Sequence, residues 1–301
     1  MIKLLTDSVA SIPQQRAKDE HIDIISLYIN EGDIEHVDAE MDLEAFYSRL
    51  PEMMDNIPTS SQPSQQAFED YFEAAAVAGD EVIAALISSG MSGTHDGAIR
   101  AARGVKERHP EAKIAIVDTR STGWDEAWPV IECARYIREG HTFEECALHA
   151  AETVLCSRYY FTPESLTFLA KGGRIGAAKA LLGNLIQVLP VLTVVDGTPV
   201  DVAKARTQKK ARAAILDLMQ EDLKDNELVE LSVQFIGTSE EARAWSHNTV
   251  EPLVGRGELA VMPVSPVVGL HVGPAVGVSY YCKKPLHNKC SVPATELVTF
   301  I

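Results

Sequence analysis

The chain has 301 residues, 46% of them apolar, so it is long enough for about two domains and can bury a sizeable core. Its formal net charge of −16 argues against a nucleic-acid-binding surface, which needs clustered basic residues. The same charge disfavours polyanionic substrates unless positive groups are gathered locally. The five cysteines form no CxxC pair, so the sequence predicts neither a metal site nor a disulfide framework.

Strand and helix patterns alternate in the first half of the chain. Short apolar runs predict strands at 2–5, 22–29, 82–87 and 113–117, and longer patterns predict helices at 43–50, 65–77, 123–140 and 142–155, with another from residue 92 onward. The acidic segment 31–41 and the polar segment 58–64 are expected to be loops. This order predicts a doubly wound α/β domain with a parallel sheet over residues 1–158.

The pattern changes after residue 158. Residues 188–195 and 200–205 flank Asp196-Gly197-Thr198, which is typical of a β-hairpin turn. Helices are predicted at 177–186, 207–223 and 240–254, and strands at 228–236, 259–264 and 276–281. We therefore expect an α+β domain with a mixed sheet over 159–281. Residues 282–301 show no clear periodicity and are expected to be a tail that packs on the body or serves a partner.

The N-terminal stretch is not expected to be a signal peptide. The N-terminal sequence MIKLLTDSVAS lacks the apolar length and cleavage site of a signal peptide. No segment is long and apolar enough to span a bilayer. We expect a cytoplasmic protein without stable membrane insertion.

Hydroxyl-rich turns follow several predicted strands. The most informative runs from Ser88 to Thr94, between a buried strand and a helix, and similar polar groups follow the strands at Asp7 and Asp118. Such turns present backbone N–H groups and hydroxyls to an anion. Each turn alone is equally compatible with ordinary helix capping. The recurrence at several strand ends favours a ligand site at that edge of the sheet.

Seven motifs together resemble the DegV family. They are TDSVASIP at 6–13, PTSSQPS at 58–64, ISSGMSGT at 87–94, VDTRS at 117–121, LAKGGRI at 169–175, VDGTPVDVAKARTQKKA at 195–211 and SPVVGLHVGPAVG at 265–277. The resemblance implies a Rossmann-like α/β/α domain followed by an α+β domain, with a long-chain fatty acid bound between them. It also implies that the protein is the fatty-acid-binding subunit of a fatty acid kinase. The catalytic subunit of such a kinase phosphorylates the acyl carboxylate, and the acyl phosphate is used in phospholipid synthesis.

The resemblance also assigns roles to residues. The carboxylate-binding hydroxyls of the family correspond to Ser60 and Ser92, and its histidine corresponds to His271. Arg206 is expected near the head group, and Arg174 is expected on the partner-facing surface. Three further residues beside the two serines are included in the predicted lipid site: Ser61, Gly93 and Thr94. The chain departs from the family's usual residues at His95, Gly176 and Ala275.

These groups suit one carboxylate. Two serine hydroxyls and an imidazole can donate to it, and an arginine can supply a positive field. A triphosphate would call for a lysine-bearing P-loop, and the sequence has no GxxxxGK[ST] motif. We therefore expect a lipid-binding protein without a cofactor, rather than a kinase by itself. The candidates for contacts with the acyl chain, or for the core, are Leu181, Leu182, Leu185, Ile186, Val267, Val268 and Leu270.

Two other functions remain open at this point. Ser92 or Ser89 could act as a nucleophile, with His271 as its base and Asp7 or Asp118 orienting the imidazole, although no GxSxG motif is present. Hydroxyl-rich strand ends would also suit a small phosphometabolite. The sequence does not show whether these groups meet.

Overall fold

The structure, a computed structural model, describes residues 1–181 and 188–301. Its strands are β1 (Ile2–Asp7), β2 (Ile22–Ile25), β3 (Tyr28–Glu31), β4 (Ile34–Val37), β5 (Thr59–Ser61), β6 (Glu81–Leu86), β7 (Ile114–Asp118), β8 (Ser157–Pro163), β9 (Leu189–Val195), β10 (Thr198–Ala205), β11 (Leu228–Ile236), β12 (Ala260–Pro263), β13 (Ala275–Cys282) and β14 (Val298–Phe300). Its α-helices are α1 (Gln14–Asp19), α2 (Leu43–Arg49), α3 (Gln65–Ala78), α4 (Thr94–Arg108), α5 (Trp124–Glu139), α6 (Phe143–Cys156), α7 (Thr167–Lys171), α8 (Gln208–Leu223), α9 (Ser239–Trp245), α10 (Glu251–Val254) and α11 (Pro266–Val272).

The first sheet is five-stranded, in the order β14-β7-β6-β1-β2. Strands β1, β2, β6 and β7 are parallel, and β14 pairs antiparallel with β7. Alternate residues of β6 pack on opposite sides: Ile83 and Ala85 share a core with α5 and α6, whereas Val82 and Ala84 share one with α3 and α4. Burial on both faces explains the continuous apolar run of this strand and confirms the predicted α/β class.

The C-terminal segment 282–301 lies against the first sheet. Strand β14 forms its edge, Leu297 is buried, and the ammonium of Lys289 pairs with Asp125 in the interior. The segment expected to be a tail therefore packs on the body, and both ends of the chain contribute to the first sheet. The domain limits at 158 and 281 stay predictions.

The second sheet is mixed, in the order β10-β9-β8-β13-β11-β12, and β11 and β12 form its parallel pair. Helices α8 and α9 cover one face, where Tyr160, Ile215 and Trp245 belong to one apolar cluster. On the other face, Tyr159 and Phe161 cluster with residues of the N-terminal half, such as Leu27 and Ile87. This second face meets the N-terminal half of the chain, which carries the first sheet and is called the first unit below, and it forms one wall of the site.

Some short elements differ from the sequence-based expectations. The two segments predicted as loops, 31–41 and 58–64, both contribute strands to a small sheet of order β4-β3-β5. Gly32, with φ of 63°, permits the tight turn between β3 and β4. Thr59–Ser61 pairs with the other side of β3. Strands of three or four residues are too short to show periodicity. The predicted 240–254 helix contains a π-helical turn at Ser246–Val250. Within the predicted helix 177–186, Gly176–Leu181 forms a 3₁₀ helix, and Leu182, Leu185 and Ile186 lie outside the described residues.

No helix within residues 1–181 and 188–301 is long and apolar enough to cross a bilayer.

Candidate functional site

A mostly apolar cleft of about 710 Å³, counting its open mouth, lies between the first unit and the free face of the second sheet. Its apolar lining includes Leu27 and Ile87 from the first unit and Tyr159, Phe161 and Val268 from the second. Its polar lining is small and consists of Ser60, Ser92, Thr122, Arg174 and His271. A large apolar surface with a few polar groups is the usual composition of a site for an amphipathic small molecule.

Ser60 is held by a strand rather than by a loop. It lies at the centre of β5 and is paired with Ile29 of β3. Its Oγ lies 2.8 Å from Nε2 of His271. The small sheet thus fixes the serine hydroxyl beside an imidazole from the other half of the chain.

His271 lies near the end of α11, a helix that the sequence analysis missed. Ser265 caps this helix, since its side chain accepts a hydrogen bond from the Val268 N–H, and Pro266 occupies the first turn. The imidazole packs closely against Gly172, where an added Cβ would lie 2.6 Å from His271 Nδ1. Glycine at 172 is therefore what leaves room for the ring.

Burial, and then the positive charge of Arg174, lower the pKa of His271 to about 4. The ring is therefore neutral at physiological pH and carries one N–H. Within the described residues, Nδ1 has no hydrogen-bond partner, so we assign the proton to Nε2, which donates to Ser60 Oγ. This assignment leaves the hydroxyl proton of Ser60 free to bond a ligand.

Ser92 lines the same cleft from the turn before α4. Its Oγ lies 2.9 Å from Oγ1 of the buried Thr94 and also accepts from the Thr94 N–H at 3.3 Å. Gly93 lies between them, and an added Cβ there would come 2.3 Å from Gln62 Oε1. The two hydroxyl-rich loops therefore pack directly on one another.

The structure brings together the central part of the predicted set. Ser60, Ser92 and His271 line one cleft. Thr94 supports Ser92 without being one of the described lining residues. Ser61 accepts a bond from Asn30 Nδ2 at 3.4 Å and likewise is not among them.

The structure places the two arginines at different cavities. Arg206 follows the buried end of β10, is exposed, and borders a separate groove with Lys171, so it is not among the described residues of the cleft. Arg174 lines the cleft and donates to the carbonyls of Gly172, at 2.7 Å, and Met91, at 3.4 Å. Of these two arginines, the one that lines the cleft in the described structure is therefore Arg174, in the turn after α7.

The carboxylates at the strand ends support the backbone of the site. Asp7 accepts from the N–H groups of Ile87, at 2.9 Å, and Val9, at 3.1 Å, and burial raises its pKa to about 7. Asp118 accepts from the N–H and the hydroxyl of Ser89. These bonds hold the 87–92 turn in place. In the described structure neither carboxylate bonds to His271, whose hydroxyl partner is Ser60, so the groups of the hydrolase alternative do not meet.

Sequence reasoning missed several lining residues. Tyr159 and Phe161 are two residues apart in β8, so their side chains lie on the same face of the sheet. This spacing was the sequence signal that could have predicted a strand face turned to the cleft. Thr122 and Leu27 gave no local signal. Among residues 1–181 and 188–301, no group of three or more His, Cys, Asp or Glu side chains is arranged to hold a metal ion.

Comparison with known proteins agrees with this architecture. A DegV domain-containing protein of Clostridium acetobutylicum is 36% identical over 289 residues, which cover 94% of this chain and 98% of that protein. A solved DegV family protein of Thermus thermophilus, described by its fatty acid binding, has a TM-score of 0.84 at 26% identity and covers 93% of this chain and 99% of its own. A stearic acid-binding protein of Eubacterium ventriosum has a TM-score of 0.83 at 26% identity, covering 94% and 99%.

The family model agrees with these relatives over nearly the whole chain. The model described as "Uncharacterised protein, DegV family" matches residues 1–283, a range that includes all the residues that line the cleft. The chain therefore belongs to the DegV family.

Proposed function

We propose that this protein binds a long-chain fatty acid in the cleft, with the acyl carboxylate held by the hydroxyls of Ser60 and Ser92 and with His271 orienting the Ser60 hydroxyl. The observation that carries the proposal is the Ser60–His271 hydrogen bond in the wall of a mostly apolar cleft. The solved relatives described by their fatty acid binding support the same ligand class.

The apolar lining meets the first demand of such a ligand, which is to remove its tail from water. Burial gains about 0.8 kcal/mol per CH₂, or about 12 kcal/mol gross for a sixteen-carbon chain before ordering costs. Tyr159, Phe161 and Val268 are among the residues that would contact this tail. The free energy gained by burying a chain of this length is therefore sufficient for tight binding.

The polar groups meet the second demand, which is to satisfy the carboxylate. A carboxylate buried without partners would cost several kcal/mol. Ser60 and Ser92 can each donate one hydrogen bond. Arg174 adds a positive charge close to His271. Neutral donors with one nearby cation suit a single negative charge.

We further propose that the bound acid is presented to a separate kinase, which forms the acyl phosphate for lipid metabolism in the cytoplasm. Arg174 supports this proposal, because it lines the cleft and is also exposed. A partner that contacts Arg174 would have its phosphate donor close to the carboxylate. Isolated protein is therefore expected to form no acyl phosphate from ATP.

Mass spectrometry of the natively purified protein tests the ligand class. We expect a co-purified long-chain fatty acid that is lost from the Ser92→Ala/His271→Ala double variant while the circular dichroism spectrum is unchanged. Retention of the same acid with unchanged affinity in the double variant would remove the head-group assignment. Bound phosphate esters or turnover of activated esters would instead favour the phosphometabolite or hydrolase functions.

A further inference from the structure

A second pocket, of about 740 Å³ with its mouth, lies on the opposite side of β8 from the cleft. Tyr159 and Phe161 line the cleft, whereas Thr162 lines this pocket. The end of β11, the beginnings of β13, α8 and α9, and Tyr47 and Pro51 from the N-terminal half complete its walls. Its lining is about evenly polar and apolar, unlike that of the cleft.

One side of the pocket offers hydrogen-bond donors to an oxyanion. Thr162 is fully buried, and its Oγ1 has no partner within the described residues. Gln208 is the first residue of α8, a sixteen-residue helix whose N-terminus carries a partial positive charge. Arg212 lies one turn later, and its buried Nε has no hydrogen-bond partner in the described structure. These groups fit a carboxylate.

The other charged groups of the pocket are acidic. Glu164 and Glu241 both line it and are exposed at its edge. Glu241 forms an ion pair with the guanidinium of Arg212. A simple anion would meet two carboxylates and one arginine, so its net electrostatic attraction would be poor. A ligand with one positive and one negative group would satisfy both sides.

The remaining walls are mostly apolar. Phe235, Ile236 and Val276 line the pocket beside the polar groups. An apolar side chain can therefore leave water there while the charged groups of the same molecule are paired.

We propose that this pocket binds the zwitterion of a small α-amino acid with an apolar side chain. The carboxylate lies at Thr162, Gln208 and Arg212, where it replaces the Glu241 carboxylate on the guanidinium. The ammonium is paired with Glu164 and Glu241. The site is separate from the fatty-acid cleft and does not depend on the function proposed for it.

Isothermal titration calorimetry of the full chain with leucine, methionine, valine and phenylalanine tests this proposal. We expect at least one of them to bind, and we expect 4-methylpentanoate and isoamylamine, which each lack one charged group of leucine, to bind at least tenfold more weakly. Arg212→Gln is expected to weaken binding of the amino acid about tenfold, which is typical of a lost charge-assisted hydrogen bond. Arg243→Gln, an exposed change on α9 outside the pocket, serves as the matched control.

Thr162→Val provides a variant with a preserved shape. It removes a buried hydroxyl that has no partner in the described structure, so the fold is expected to survive while amino acid binding weakens severalfold. The proposal is overturned if none of the four amino acids binds, or if Arg212→Gln and Thr162→Val both leave binding unchanged. It is equally overturned if 4-methylpentanoate binds as tightly as leucine in an Arg212-dependent manner, because the site would then select a simple anion.

Discussion

Ser60 Oγ and His271 Nε2 lie 2.8 Å apart, although 211 residues separate them in the chain. Ser60 belongs to a strand of the small first-unit sheet, and His271 belongs to a helix that precedes the last long strand of the second sheet. The hydrogen bond therefore spans the two halves of the chain and forms only when they are docked. A ligand bound at this pair would therefore depend on the docking of the two halves.

A double-mutant cycle on Ser60 and His271 tests whether the pair acts as one unit. Ser60→Ala and His271→Ala are each expected to weaken fatty acid binding about tenfold, and the double variant by less than the product of the two effects, because each single change already breaks the shared bond. Ser60→Thr keeps the hydroxyl and is the matched control. Strictly additive losses, measured by titration with a fluorescent fatty acid, would show that the two side chains act independently.

Gly172→Ala is expected to displace the imidazole without removing any polar group. The new Cβ would lie 2.6 Å from His271 Nδ1 and 3.1 Å from the carbonyl oxygen of Phe168, so the ring must shift. We expect about tenfold weaker fatty acid binding and a loss of stability of about 1–3 kcal/mol, as for other overpacked sites. The control is Gly257→Ala, where a Cβ meets nothing within 4 Å. Equal affinities of the two variants would contradict the close packing that we describe at His271.

Arg174→Gln and Arg206→Gln are expected to separate the roles of the two arginines. Arg174 lines the cleft and lowers the pKa of His271, whereas Arg206 borders another groove. We expect severalfold weaker fatty acid binding and a higher His271 pKa in Arg174→Gln, and neither effect in Arg206→Gln. Titration of the imidazole by NMR, together with the affinities, measures both. A loss of affinity confined to Arg206→Gln would reverse the assignment.

Glu126→Gln is expected to change how stability depends on pH. Glu126 is fully buried, and burial, followed by the charge of Asp7, raises its carboxyl pKa well above the ordinary value. The folded protein therefore keeps a proton that the unfolded chain releases above about pH 4.3, so stability falls as pH rises beyond that value. In Glu126→Gln the neutral amide removes this part of the pH dependence of the free energy of unfolding, whose slope is at most about 1.4 kcal/mol per pH unit.

Urea unfolding between about pH 5.5 and pH 8 measures this difference. The wild-type free energy of unfolding is expected to fall more steeply with pH than that of Glu126→Gln. The exposed Glu144→Gln on α6 is expected to keep the wild-type slope. Parallel slopes for all three proteins would mean that Glu126 is ionised in the folded state.

Ser60 shows which features of the site can be predicted from local sequence and which cannot. The polar residues around it read as a loop, and the family resemblance assigned the Ser60 hydroxyl to the ligand site; in the structure Ser60 lines the cleft. The strand that positions Ser60 was missed, because three residues paired with β3 have no periodicity of their own. The same limit applies to α11, whose seven residues were read as a motif rather than as a helix.

Local sequence determined the alternation of strands and helices, the hydroxyl-rich turns at the strand ends and the membership of the family, because each depends on residues within a few positions of one another. Tertiary structure alone decided that Arg174 rather than Arg206 faces the cleft, that His271 is neutral, and that Asp7 supports the backbone of the site. Charge and burial at a site are sums over groups from distant parts of the chain, so their values exist only after those parts have packed together.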